Sequence, residues 1–274
     1  MNQLRLVLLG IALVLAGLFG WHRGDRPAAG WAVALWTPAE LVAPRPVQPL
    51  SLEEARLKLR GQFAAIAEYQ SYFDRLQAAF PAEYTRIVDG LATKAAGADS
   101  APASVDRAFF QAARALRQTH GILAARAENT GLENIAAVQA RLMQALAGRD
   151  ARLCVDFFYG GAEPEFFAFM GQNRALAADF ARAWLDAMAN GKTSAISRPD
   201  PADADVQLFD DALVAHGLGR AEIDALLENK LASPPLQDSA LCQAGIVYFQ
   251  TLSTLPPEPR IKLMARILSL AARS

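Results

Sequence analysis

From residue 51 onward, apolar positions recur at spacings of three and four, the period of an amphipathic helix. Leu52, Leu59, Phe63, Ile66, Phe73, Leu76 and Phe80 lie on one face and predict a helix from Ser51 to Phe80. Ser51 followed by Glu54 has the spacing of a capping box, in which each residue satisfies a free backbone N–H of the other. Pro81 suits the first turn of the next helix. A long helix is expected from Ser104 to Asn129, with Phe109, Phe110, Ala113, Leu116, His120, Leu123 and Ala127 on its buried stripe. Gly131 then reads as a break, followed by an amphipathic segment from Leu132 to Leu146.

The second half continues in the same way. A short segment runs from Asp150 to Tyr159, Gly160 and Gly161 interrupt the chain, and Pro164 opens a helix to about Ala189. Residues 190–204 read as a polar loop. Helices are then expected near Val206 to His216, Arg220 to Leu231, Leu236 to Thr254 and Glu258 to Ala272. No alternating run of strand length occurs, so the fold class is all-α. Residues 51–274 form a helical domain, either one bundle or two sub-bundles meeting at Gly160–Gly161. No register repeats in the manner of a helical-hairpin array.

The first fifty residues have a different pattern. An uncharged run from Leu6 to Trp21 is 16 residues long, at the short end for a membrane-spanning helix. Trp21 closes it where an aromatic ring meets lipid headgroups, and His22, Arg23 and Arg26 follow. Cleavage after Ala16 would leave Leu18, Phe19 and Trp21 on the mature chain, and no cysteine precedes Cys154 to accept a lipid. Residues 1–25 are therefore expected to be an uncleaved signal anchor. Pro27, Pro38, Pro44, Pro46 and Pro49 then exclude a long helix, and residues 26–50 read as a proline-rich tether. Arg5 on one flank nearly balances Arg23 and Arg26 on the other. The short N-terminal tail favours a domain outside the inner membrane, in the periplasm.

Composition changes this picture mainly by exclusion. Hydrophobic residues make up 53% of the 274, too many for a disordered chain. Lys+Arg number 27 against 28 Asp+Glu, so no general attraction to nucleic acid is expected. Arginine far outnumbers lysine and alanine is abundant. Both read as coding bias, so the arginines carry no signal for anion recognition by themselves.

Candidate chemistry is sparse. Cys154 and Cys242 are the two cysteines, each following a leucine and preceding aromatics. An oxidising compartment would join them in one disulfide, whereas a reducing one would leave two small buried thiols. They do not form a Cys-x-x-Cys pair, and the three histidines lack metal-ligand spacing, so no metal site and no cofactor are expected. Tyr159, Glu163 and Glu165 stand in a glycine- and aromatic-rich stretch. Paired carboxylates beside aromatics are the equipment of a glycoside hydrolase, and acidic residues flanking Pro164 also serve a helix N-terminus. Phosphate-loop and nucleophile-elbow motifs are absent.

These readings favour a non-enzymatic, membrane-anchored interaction or scaffolding domain of the bacterial envelope, partnered by the inner membrane through Leu6 to Trp21 and by another protein. The alternatives are a helical domain binding an apolar ligand or lipid, suggested by the aromatics from Tyr159 to Trp184, and a cell-wall hydrolase without a recognisable motif.

Overall fold

A computed structural model describes residues 50–96, 104–158, 164–228 and 233–272. Their helices are α1 (Leu52–Ala64), α2 (Ala67–Ala79), α3 (Pro81–Ala96), α4 (Val105–His120), α5 (Asn129–Arg149) and α6 (Ala151–Phe158). The second half adds α7 (Pro164–Gln172), α8 (Arg174–Ser194), α9 (Asp203–Ala215), α10 (Arg220–Glu228), α11 (Asp238–Thr254) and α12 (Pro257–Ala271). A 3₁₀ turn, Gly121–Arg126, joins α4 to α5. Among the described residues there is no strand, and the fold is all-α as expected. The anchor at 1–25 and all but the last residue of the tether at 26–50 lie outside the described residues. Among the described residues, no helix is long and apolar enough to cross a membrane.

Local signals placed several starts correctly. The Ser51 side chain accepts from the Glu54 backbone N–H at 3.2 Å, and the Ser51 N–H donates to the Glu54 carboxylate at 2.9 Å. Ser104 caps α4 by accepting from the Arg107 N–H at 3.2 Å. Pro81 and Pro164 each open a helix, where a missing N–H is harmless.

Three expected helices are each divided. The stretch from Ser51 to Phe80 breaks at Ile66, whose backbone is extended (φ −120°, ψ 108°). The break folds α1 and α2 against each other and stacks Phe63 on Phe73 with centroids 4.0 Å apart. The stretch from Ser104 to Asn129 tightens into the 3₁₀ turn at Gly121. A Cβ there would come within 2.9 Å of the Ala272 Cβ, so the close approach of the chain after α12 requires the glycine. The stretch from Pro164 to Ala189 breaks at Asn173, whose side-chain amide donates to the Phe169 carbonyl at 2.8 Å and caps the end of α7. Gly131 stops nothing: it sits in the first turn of α5, where it lets Ala127 and Ala187 approach. The loop expected from residue 190 starts later, because α8 continues to Ser194.

The buried apolar residues form one contiguous cluster running from Ala55 in α1 to Leu268 in α12. Helix α8 is central to it and contacts α2, α4, α5, α7 and the 3₁₀ turn. Cys154 of α6 and Cys242 of α11 are joined by a disulfide, with Cα atoms 5.6 Å apart and both residues buried. The bond fastens α6 to α11, and these two helices also form part of the wall described next.

Candidate functional site

The cluster is not filled throughout. A cavity of about 400 Å³ lies between α4, α5, α8 and α12, with contributions from α2, α6, α7 and α11. Its walls are mostly aromatic and aliphatic, including Phe110, Phe157, Phe166, Phe180, Trp184, Phe249 and Met264. The rings brace one another: Phe157 stacks on Phe166 at 5.8 Å and meets Phe180 edge-on at 5.4 Å, and Phe110 meets Phe166 edge-on at 5.4 Å. Its volume and its mainly apolar, aromatic lining are those common among small-molecule sites.

Its polar equipment comes mainly from one helix. Arg107, Arg114 and Arg117 of α4 all line the cavity, together with Gln111 on α4 and Gln139 on α5. Arg107 lies over the Phe167 ring at 5.0 Å, and Arg117 lies over the Trp184 ring at 5.5 Å. None of the three guanidiniums has a carboxylate within ion-pairing distance among the described residues, and no Asp or Glu lines the cavity. Burial pushes the Arg117 pKa down to about 10, and the nearby Arg114 charge adds to the effect, while Tyr72 opposes it.

Tyr72 forms part of the same wall. The residue is 1% exposed, and its hydroxyl makes no hydrogen bond to another described residue. Burial raises its pKa well above that of an ordinary phenol, and the Arg117 charge offsets only part of the rise. The Trp184 indole N–H is also buried without an acceptor among the described residues.

The other flank of α4 shows what a closed polar site in this protein looks like. There Asp106 accepts from the Tyr69 hydroxyl at 2.7 Å and from Arg174 at 2.9 Å. Burial opposes ionisation of Asp106, but these two donors outweigh it and hold the carboxyl below its usual pKa. Gly171 makes room for the arrangement, since a Cβ would lie 2.7 Å from an Asp106 carboxylate oxygen.

The sequence-predicted site residues fall elsewhere. Tyr159 and Glu163 lie outside the described residues. Glu165 is exposed in the first turn of α7 and does not line the cavity, although its neighbours Phe166 and Phe167 do. His120 stacks on Phe80 at 5.0 Å, with Nε2 3.0 Å from a Glu83 oxygen, away from the cavity. Among the described residues, no cluster of His, Cys, Asp and Glu is arranged to hold a metal ion. Sequence reasoning missed Tyr72, Arg114 and Arg117. The available signal was that Arg114 and Arg117 flank the apolar stripe of α4 at Ala113 and Leu116, without acidic neighbours three or four residues away.

No known protein family, characterised protein or solved structure matches the chain.

Proposed function

We propose that this chain is a non-enzymatic, membrane-tethered binding domain of the cell envelope, and that its helical bundle takes up an apolar ligand in the cavity beside α4. The observation that carries the reading is the cavity itself, about 400 Å³ of aromatic-lined space inside an otherwise close-packed core. Protein interiors pack to crystal-like density, and an unfilled volume of this size forfeits dispersion contacts that a ligand restores. The Cys154–Cys242 disulfide supports an oxidising compartment, since such bonds rarely persist in a reducing cytosol. The apolar run from Leu6 to Trp21 supports tethering at the inner membrane.

Two other readings have less behind them. A scaffold is expected to offer a broad apolar surface. Among the described residues the exposed large hydrophobics are Leu50, Leu52 and Leu57 near α1 and Leu208 and Val214 on α9. A hydrolase built on Glu163 and Glu165 would need both carboxylates at a cleft, and Glu165 is exposed and does not line the cavity.

A neutral fluorescent naphthylamine, dim in water and bright in apolar surroundings, tests the binding reading. The full chain should bind it saturably at about one molecule per protein. Ala136→Trp, which projects an indole into the cavity, should remove the signal while the helical circular dichroism is kept. Absence of saturable binding to the native chain would overturn the assignment.

A further inference from the structure

The cavity carries a second piece of information, which concerns the ligand's head group. We infer that the ligand is a single-chain amphiphile with a carboxylate head. The Arg117 guanidinium and the Tyr72 hydroxyl receive the carboxylate, and the hydrocarbon chain lies among the phenylalanines. This rests on the binding function proposed above and specifies its ligand class.

Arg117 and Tyr72 both line the cavity, and neither side chain donates to an acceptor among the described residues. Buried polar groups in proteins are almost always satisfied, and a charge held in apolar surroundings without a partner is costly. Tyr72 is 1% exposed and has no hydrogen-bond partner among the described residues, and Arg117 lines the same cavity without a carboxylate partner there. The chain is not short of acids, with 28 Asp+Glu against 27 Lys+Arg. It uses them freely elsewhere: Arg174 meets Asp106 at 2.9 Å, and Arg220 meets Asp224 at 2.7 Å and Asp210 at 3.0 Å. The missing acceptor at Arg117 is therefore a local property of the cavity, complementary to an anion brought by the ligand.

Shape narrows the anion. A carboxylate is planar, accepts two parallel N–H bonds from a guanidinium fork and keeps lone pairs for an O–H donor such as Tyr72. A single negative charge neutralises the Arg117 cation over the Trp184 ring. Arg107 and Arg114, further along the same helix face, repel a cationic head and help attract an anionic one. The volume limits the tail: about 400 Å³ lies at the lower end of ligand cavities, which run from roughly 300 to 1,000 Å³. That accommodates one chain rather than the two of a diacyl lipid.

The test is competition against the naphthylamine. It uses the full chain in a bulky steroid-based detergent, with palmitate, hexadecanol, hexadecyltrimethylammonium and a palmitoyl lysophosphatidate as competitors. Palmitate should displace the probe at about tenfold lower concentration than hexadecanol, the size of one charge-assisted contact. The ammonium compound should be the weakest. Arg117→Gln should bring the palmitate-to-hexadecanol ratio close to one, and Tyr72→Phe should reduce it by a smaller factor. Equal displacement by palmitate and hexadecanol in the native chain would overturn the carboxylate assignment, and this comparison needs no variant to fold. A ratio that survives Arg117→Gln would also overturn it, by placing the head group elsewhere. Tighter binding of lysophosphatidate than of palmitate would do so as well, by making the site one for phosphate. If the probe binds and only the head-group preference is missing, this inference fails while apolar-ligand binding stands. If the probe never binds, both fail.

Discussion

The middle of α8 and its C-terminal end are packed in opposite ways, and each keeps an arginine nearby. Towards its C-terminus α8 meets the 3₁₀ turn through small residues. A Cβ on Gly191 would fall inside contact distance of the Leu123 carbonyl, and Gly131 lies in ordinary contact range of Ala187. Backbone and side-chain hydrogen bonds seal this seam: the Ile196 N–H donates to the Arg126 carbonyl at 3.0 Å, and the Glu128 N–H donates to Asn190 Oδ1 at 2.7 Å. Arg198 fills its donors there, giving hydrogen bonds to the carbonyls of Ala125 (3.1 Å) and Ala127 (2.6 Å) and to Asn129 (2.9 Å). Along its middle the same helix turns Phe180, Ala181, Trp184 and Met188 onto an open cavity, and Arg117 has no comparable partners. One helix thus carries both a closed seam and an unfilled wall. The cavity is not a sign of loose packing in general, because the seam two turns away leaves no room for a carbon atom on Gly191. Burial lowers the pKa of both arginines, but one is satisfied by carbonyls and the other has no such partner among the described residues.

The contrast breaks most severely at Gly191. Gly191→Ala drives a methyl group into the Leu123 carbonyl, where backbone must move on both sides, and should cost about 3 kcal/mol or more. Thermal denaturation checks this. A loss below about 1 kcal/mol would mean that the seam is as yielding as the cavity wall. Arg198→Ala comes next. It strips the N–H donors from the carbonyls of Ala125 and Ala127, and with the site half-buried the expected loss is about 2 kcal/mol by urea titration.

Arg117→Met has the opposite sign. Replacing a partly buried, unpaired cation by an apolar chain of similar length should stabilise the ligand-free protein by about 1 kcal/mol, while removing its preference for anionic ligands. A stability gain coupled to a binding loss is the signature of a residue kept for function. A loss of stability like that of Arg198→Ala would show that Arg117 has a structural partner and would remove the contrast.

The fold and the site differed in how far the sequence revealed them. Helical periodicity, the Ser51–Glu54 box and the prolines at 81 and 164 made the all-α class and several helix starts readable, because these signals act within a few residues. The breaks at Ile66 and Asn173 were not readable. No proline or glycine adjoins Ile66, and Gly171 beside Asn173 lies within α7; the chain bends at both places to bring α1 onto α3 and α7 onto α4, which is a tertiary demand. Gly121 and Gly131 misled in opposite directions: Gly121 is required by what packs against it, and Gly131 sits inside a helix without ending it. The cysteine pair was readable as one of two outcomes, and proximity in the fold decides between them. The cavity was hidden for a further reason. Periodicity assigns Phe110, Phe166 and Phe180 to an interior without saying whether that interior is full, and an arginine-rich composition conceals which arginines lack partners.

Tyr72→Phe should have the smallest effect near neutral pH, because the hydroxyl it removes bonds to no other described residue. Its effect emerges in alkali. An unfolded chain loses the phenolic proton near pH 10, whereas burial keeps it on Tyr72 in the folded protein to higher pH. Above about pH 10 the folded state therefore binds more protons than the unfolded one, and stability falls as pH rises. Removing Tyr72 should flatten that fall, with buried Tyr69 and Tyr248 still contributing to it. Arg117 works in the other direction. With its pKa pushed down to about 10, the folded state releases a proton that the unfolded chain still holds, so this group alone makes stability rise over the same range. Arg117→Met should accordingly steepen the alkaline loss that Tyr72→Phe flattens. Urea midpoints measured from pH 7 to pH 11 would resolve the two slopes. Slopes of the same sign would mean that Tyr72 and Arg117 do not share the apolar wall on which the proposed head-group site depends.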